Sequence, residues 1–322
     1  MNRTRTASAV AALLLALCRP VASAADVIER TFDVEPGGRF VLDTDRGSVE
    51  VKTTEEARVG VRVERRVRSG SARETDHEVR FDQRGSEVSV RGETDRGLLG
   101  LRSSRLEVRY TVTVPRRFDL RLDTAGGDIT VTDLEGDLAA HTSGGDMALG
   151  RIFGAVDAST SGGDVELSGS TVEATLRSSG GDLRIGDVDG RVDALTSGGD
   201  VRIDRAGGDV TASTSGGNIT VGEVRGAIDA RTSGGDVIAT LTTQPESDCR
   251  LSTSGGSVEV RLAAGIGAEV DAYTSGGELE LDVPVTVRGK LSKSRVEGRV
   301  NGGGPLLTLR SSGGDIVVRG LD

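Results

Sequence analysis

The chain has 322 residues, 50 of them acidic and 40 basic, with 47 Gly, no Trp and only 2% aromatics. The acidic balance argues against DNA, RNA or an anionic membrane surface as partner. The shortage of aromatics suits a narrow, two-walled interior better than a broad globular core.

Arg3 and Arg5 lead into an apolar run from Ala7 to Leu17, too short to span a bilayer, and Ala22-Ser23-Ala24 reads as a small-x-small cleavage site. Residues 1–24 are therefore expected to be an export signal, with a periplasmic, cell-surface or extracellular destination and no membrane span in the mature chain. Bulky Leu17 before Cys18 argues against lipidation. Cleavage leaves 37 basic against 50 acidic residues, a net charge near −13, and one thiol, Cys249. No internal disulfide is then expected, even in an oxidising compartment, and Cys249 is expected half-buried in a loop.

Residues 25–118 read as β-strands without a regular beat, and are expected to cap the regular region C-terminal to them. Apolar and charged residues alternate in Val59 to Glu64 and in Val108 to Val114, the pattern of strands with one buried face. Arg68 to His77 and Glu93 to Arg105 are polar and are expected as exposed loops.

Residues 119–322 are expected to form a solenoid. The first Gly of a Gly-Gly pair recurs at Gly126, Gly144, Gly162, Gly180, Gly198, Gly216 and Gly234, always 18 residues apart. A period held without slip means stacked units, because an irregular Gly-rich coil has no reason to keep count. Inward columns follow from period-two alternation: Ile129, Met147, Val165, Leu183, Val201, Ile219 and Val237, with Val131 to Val221 two places on. An opposing wall runs through Leu138, Val156, Val192 and Val210 and then through Ala140, Ala158, Leu176, Ala194, Ala212 and Ala230. One unit cannot bury its own apolar face, so the fold class is all-β, a parallel β-solenoid of 18-residue coils. Roughly ten coils at about 4.8 Å would make a rod of about 50 Å. After Gly234 the beat loosens to Gly255, Gly276 and Gly313. The additions read as loops at coil corners; the largest, 283–304, carries a basic patch of Lys290, Lys293, Arg295 and Arg299.

Asp128, Asp146, Asp164, Asp182 and Asp200 follow the Gly-Gly pairs and would run up one edge. At about 5 Å, neighbouring carboxylates repel by roughly 1 kcal/mol in water and about 3 kcal/mol at an effective dielectric near 20. Two readings offset that repulsion. Each Asp accepts N–H bonds within its own turn, or the column is a calcium ladder like those of Gly/Asp-rich nonapeptide rolls. Asn218 and Ser257 interrupt the column and favour the first reading, which leaves the chain without a cofactor. A second column, Ala139, Asp157, Thr175, Asp193, Thr211 and Asp229, spaces acid two coils apart and reads as a solvated face. The Thr-Ser pairs from Thr142-Ser143 to Thr274-Ser275 read as hydroxyl ladders, with a surface for glycan or ice as the alternative. His77 and His141 have no partner at metal or triad spacing, and no phosphate loop is present, so no catalytic residues are expected.

The signal, Val112-Thr113-Val114-Pro115 leading into Asp119 to Thr124, the repeated T-S-G-G-D and the ending Leu307 to Ile316 together resemble the bacterial putative adhesin family of β-strand repeats, a domain of unknown function numbered 4097. The resemblance runs from Val27 to Leu321. It implies a β-solenoid of the bacterial cell envelope, with no catalytic residues to carry over. The expected function is an exported, non-enzymatic adhesin-like binding or scaffold protein, its partner an envelope component, another protein or a glycan. The alternatives are a self-assembling filament and a polysaccharide-acting β-helix enzyme.

Overall fold

The computed structural model describes residues 26–67, 76–94, 106–287 and 292–321. The export signal, the polar stretches 68–75 and 95–105, and Lys290 lie outside the described residues. The chain begins with β1 (Asp26–Asp33), β2 (Arg39–Thr44), β3 (Ser48–Thr54), β4 (Arg58–Val67), β5 (His77–Arg84), β6 (Glu87–Thr94) and β7 (Leu106–Pro115). Paired strands of successive coils come next: β8 and β9 (Asp119–Thr124, Ile129–Val131), β10 and β11 (Leu138–Thr142, Met147–Ile152), β12 and β13 (Val156–Thr160, Val165–Ser170), β14 and β15 (Ala174–Arg177, Leu183–Val188). They continue with β16 and β17 (Val192–Leu195, Val201–Ala206), β18 and β19 (Val210–Ser213, Ile219–Val224), β20 and β21 (Ile228–Arg231, Val237–Leu241), and β22 and β23 (Cys249–Ser252, Val258–Leu262). The last six are β24 (Ala268–Thr274), β25 (Leu279–Asp282), β26 (Val285–Val287), β27 (Arg295–Val300), β28 (Leu306–Ser311) and β29 (Ile316–Gly320).

The protein is an all-β parallel solenoid. Odd-numbered coil strands join one 14-stranded sheet and even-numbered ones a 15-stranded sheet facing it. In the regular region each residue pairs with the residue 18 places on, as in Val165 with Leu183 and Ala158 with Leu176. The inward columns lie in one core, with Val165, Leu183 and Ala158 at 0% exposure. Fully burying a Val, Leu or Ile side chain contributes about 1.5–3 kcal/mol, and each coil supplies several. Their energy is shared with the coils on either side, so no coil stands alone.

A further inward column, Leu134, Ile152, Ser170, Val188, Ala206 and Val224, is buried as well. In β11 Gly150 and Arg151 both sit between Leu149 and Ile152, and Gly150 has no partner in the ladder with β13. That extra residue shifts the alternation by one and returns the chain to the interior at Ile152.

Stacking follows chain order only in the middle of the rod. The first coil, β2 with β3, lies between β8/β9 on one side and β6/β7 on the other. The last coil, β28 with β29, likewise lies between β22/β23 and β24/β25. Outside these, the pairing turns antiparallel: β7 to β4 to β1 and β6 to β5 at one end, β24 to β27 to β26 at the other. The expected loop 283–304 thus carries two strands of a sheet end, because Val296 and Val300 find buried sites there.

Candidate functional site

The Thr-Ser-Gly-Gly-Asp corner makes four interactions that recur along the regular coils, the second of them in most coils. First, the Thr is buried and its hydroxyl donates to the second Gly of the preceding coil, for example Thr142 to Gly127 O at 2.9 Å, Thr160 to Gly145 O at 3.0 Å and Thr196 to Gly181 O at 2.8 Å. Second, in most coils the same oxygen accepts from its own second Gly, as Gly181 N–H does to Ser178 at 3.0 Å. The ladder therefore links hydroxyl to peptide rather than hydroxyl to hydroxyl. Third, the second Gly packs against the coil below: a Cβ on Gly145 would meet Gly127 O at 2.2 Å and Gly127 C at 2.3 Å. The partner Ser faces outward, giving an exposed row of Ser143, Ser161, Ser179, Ser197, Ser215 and Ser233.

The fourth interaction belongs to the Asp column. Each carboxylate serves the next coil rather than its own turn: Asp128 Oδ1 accepts from Asp146 N–H at 3.1 Å, Asp146 from Asp164 at 2.9 Å, Asp164 from Asp182 at 2.8 Å, Asp182 from Asp200 at 2.8 Å and Asp200 from Asn218 at 2.7 Å. Parallel stacking leaves this N–H facing the neighbour, where a side-chain oxygen two atoms beyond Cβ reaches it. Asn218 Oδ1 and Ser257 Oγ do the same for Asp236 and Asp315, at 2.9 and 3.1 Å. Position in the column thus demands an acceptor, and charge is incidental. Arg184 lies between Asp164 and Asp182, at 3.7 and 2.8 Å. Beside the column runs an open groove of about 380 Å³, lined by Asp182, Asp200, Asn218 and Asp236 with Arg184 and Arg202. No group of three or more His, Cys, Asp or Glu fit to hold a metal occurs among the described residues.

The alternating acid column on the other sheet is bridged by Arg177, 3.9 Å from Asp157 and 3.6 Å from Asp193. The described part of the basic patch is likewise paired, Lys293 with Glu278 at 3.4 Å, Arg295 with Glu297 at 2.5 Å and Arg299 with Glu269 at 3.0 Å. Cys249 opens β22 and points into the core at 2% exposure, a correction to the half-buried loop setting. Burial pushes its thiol pKa up, which makes it inert. His141 is exposed at the end of β10, its Nδ1 2.8 Å from Ser159 Oγ.

His77 departs most from expectation. It is fully buried as the first residue of β5, not exposed in a polar loop. The position opposite Thr44 on β6 is Gly92, and a Cβ there would lie 2.1 Å from Tyr110 Oη and 2.8 Å from His77 Nε2. Tyr110 and His77 fill the place of a missing threonine. Thr44 Oγ1 lies 3.1 Å from Tyr110 Oη, Tyr110 Oη 2.6 Å from His77 Nε2, and His77 Nδ1 3.0 Å from Thr94 Oγ1. Thr94 closes the chain by donating its hydroxyl and its N–H to Asp45, both at 2.9 Å. Burial pushes Tyr110 up to about 12 and His77 below its ordinary value. The signal for this cluster was a break in pattern: T-S-G-G-D becomes Thr44-Asp45-Arg46-Gly47-Ser48, and the chain's two Tyr and two His include Tyr110 and His77.

The family model described as Toastrack DUF4097 matches residues 39–221, more than half of the 322-residue chain. The chain belongs to this family. Its match begins at β2 and so takes in the first coil and the strands stacked outside it, as well as regular coils. Among solved structures, this Toastrack chain is similar to a putative cell adhesion protein from Clostridium sporogenes, at 11% identity over 92% of this chain and 100% of that one, TM-score 0.24. A putative adhesin from Bacteroides fragilis matches at 12% identity over 93% and 99%, TM-score 0.32. A putative lipid binding protein from Parabacteroides distasonis matches at 10% over 92% and 97%, TM-score 0.41. Likeness this low says nothing of what the Toastrack chain binds. No curated protein matches it.

Proposed function

We propose that this Toastrack chain is an exported, non-enzymatic solenoid that acts in the cell envelope as an adhesin-like binding or scaffold protein. The observation that carries the reading is the in-register repetition of the exposed Ser-Gly and Asp corner along the rod, with the groove from Asp182 to Asp236 beside it. A rigid solenoid offers one chemistry many times over without ordering anything further on binding. The partner proposed is an extended envelope component or another protein, with a glycan as the alternative and no nucleic acid. Antiparallel strands at both ends support a discrete rod over a filament.

The Asp128 to Asp200 column is proposed as a set of peptide caps rather than a calcium ladder. Its support is that neutral Asn218 and Ser257 perform the same bond.

Co-sedimentation of purified mature protein with bacterial outer membranes and with peptidoglycan sacculi tests the function. Saturable binding to one fraction, lost in the triple variant Ser179→Arg, Ser197→Arg, Ser215→Arg at unchanged melting temperature, is the expected result. No saturable binding to either fraction would sink the proposal. Release of soluble sugar from sacculi would favour the enzyme instead.

A further inference from the structure

The bond directions around His77 are set by what each partner offers. Thr94 donates its proton to Asp45, so its oxygen accepts from His77 Nδ1–H, which leaves Nε2 of the neutral ring to accept from Tyr110 O–H. If His77 takes up a proton, Nε2–H donates to Tyr110 instead. Tyr110 then turns its proton to Thr44, and Thr44 donates onward to Arg46 O at 2.9 Å. The network accepts the proton, but the cation is then buried. Among the described residues, the charged groups facing it come from the β2–β3 turn and from β4: Asp45 after β2, at 3.7 Å from Nδ1, favours the cation. Arg65 of β4, whose Nη1 donates to His77 O at 2.6 Å, and Arg46 before β3 oppose it. Asp26 of β1 is ion-paired with Arg65. On β6 the adjoining residues are Thr94 and Gly92, and on β7 Tyr110. Desolvation outweighs the help from Asp45 and holds His77 below its ordinary value of 6.5.

Among the described residues β5 is the outermost strand of its sheet and pairs only with β6 there. His77 is its one fully buried residue; the rest of β5 is half-buried or exposed. Elsewhere it is held by Phe81 against Phe32, at 6.2 Å between ring centres, and by Gln83 Nε2 donating to Asp33 O at 2.8 Å.

We propose that the Asp45–Thr94–His77–Tyr110–Thr44 chain is an acid-sensitive latch: neutral His77 pins β5 over the N-terminal end of the solenoid, and uptake of one proton releases it. Linkage fixes the sign. The opened state holds the proton at the ordinary value and the closed state only at a lower one, so closure is fully stabilised above about pH 6.5 and loses that stabilisation as pH falls toward the folded value. Within that window the opened fraction rises by up to about tenfold per pH unit, the limit for one proton.

Amide exchange of the full chain between pH 7.5 and 4.5, corrected for the intrinsic pH dependence of exchange, tests this. Protection of residues 77–94 is expected to fall by up to that factor per unit while that of the coils from Leu138 to Leu241 stays level. His77→Gln is expected to abolish the difference. Equal response of hairpin and coils, or a pH response that persists in His77→Gln, would overturn the latch. A third arm does not depend on that variant folding. In His141→Gln a single imidazole remains for NMR titration, and its midpoint is expected to coincide with the loss of hairpin protection. Titration with the hairpin still protected would refute the proposal.

Discussion

Adjacent glycines in one turn separate the packing role of the Gly-Gly pair from its flexibility. Neither Gly144 nor Gly145 has a left-handed backbone, so alanine is conformationally admissible at both. At Gly144 an added Cβ meets nothing within 4 Å. Alanine there should leave the fold untouched and stabilise it by about 0.4–1 kcal/mol, because it restricts the unfolded chain. At Gly145 the Cβ meets Gly127 O at 2.2 Å, Gly127 C at 2.3 Å and Asp128 N at 2.6 Å. These are backbone atoms of the next coil and have no rotamer to yield, so the coils must part. Overpacking of this kind costs about 1–3 kcal/mol. Parting also stretches the bonds from Thr142 to Gly127 O and from Asp146 N–H to Asp128, now 2.9 and 3.1 Å, at about 0.5–1.5 kcal/mol each. The sum for Gly145→Ala is about 2–6 kcal/mol of destabilisation, opposite in sign to its neighbour. Urea melts of the two variants decide it. Equal loss at both positions, or none at Gly145, would show that coil contact is not what requires the second glycine.

Thr160→Val keeps the shape but leaves Gly145 O and Gly163 N–H without their partner at 3.0 and 3.3 Å, and should cost about 1–3 kcal/mol in the same assay. Asp146→Asn retains the acceptor for Asp164 N–H and should lie within about 0.5 kcal/mol of the parent; in calorimetry, calcium should move the melting temperature of neither protein, and a saturable rise in the parent alone would restore the metal ladder. Val165→Asp places a carboxylate at 0% exposure and should destabilise by more than about 4 kcal/mol. Asp157→Asn removes only an exposed partner of Arg177 at 3.9 Å and should be silent to within about 0.5 kcal/mol; a comparable loss in these two would overturn the assignment of inner and outer columns.

The middle of the rod was legible because every coil solves the same problem. Period 18 set the coil, and period two within it set which face of Met147 to Leu149 or Val165 to Leu167 turned inward. Ile152 and its column escaped the reading because the local shift at Gly150 and Arg151 breaks period two without breaking period 18. The direction of the Asp bond was out of reach for another reason. An Asp beside Gly-Gly can cap its own turn or the next coil's N–H, and only the actual stacking of Asp128 below Asp146 selects the second. Cys249 was misplaced because the irregular Thr242 to Asp248 precedes it, though it opens a strand whose other inward residue is Leu251.

The ends were illegible for a reason that bears on the candidate site. A repeat specifies how a coil meets a copy of itself, and says nothing about what meets the last copy. Each terminal hydroxyl, peptide and apolar column must be met by something unlike the repeat, so end residues follow no period. At Thr44 this is done by removing a side chain, at Gly92, and filling the gap from two other strands with Tyr110 and His77. Such a closure needs polar groups that can donate and accept in a dry place, and few side chains do both. Imidazole is one, but it also titrates near neutrality. The same choice that satisfies the end of the hydroxyl column therefore puts a titratable ring in the interior at that end, while the buried polar side chains of the regular coils are the non-titrating hydroxyls of Thr and Ser.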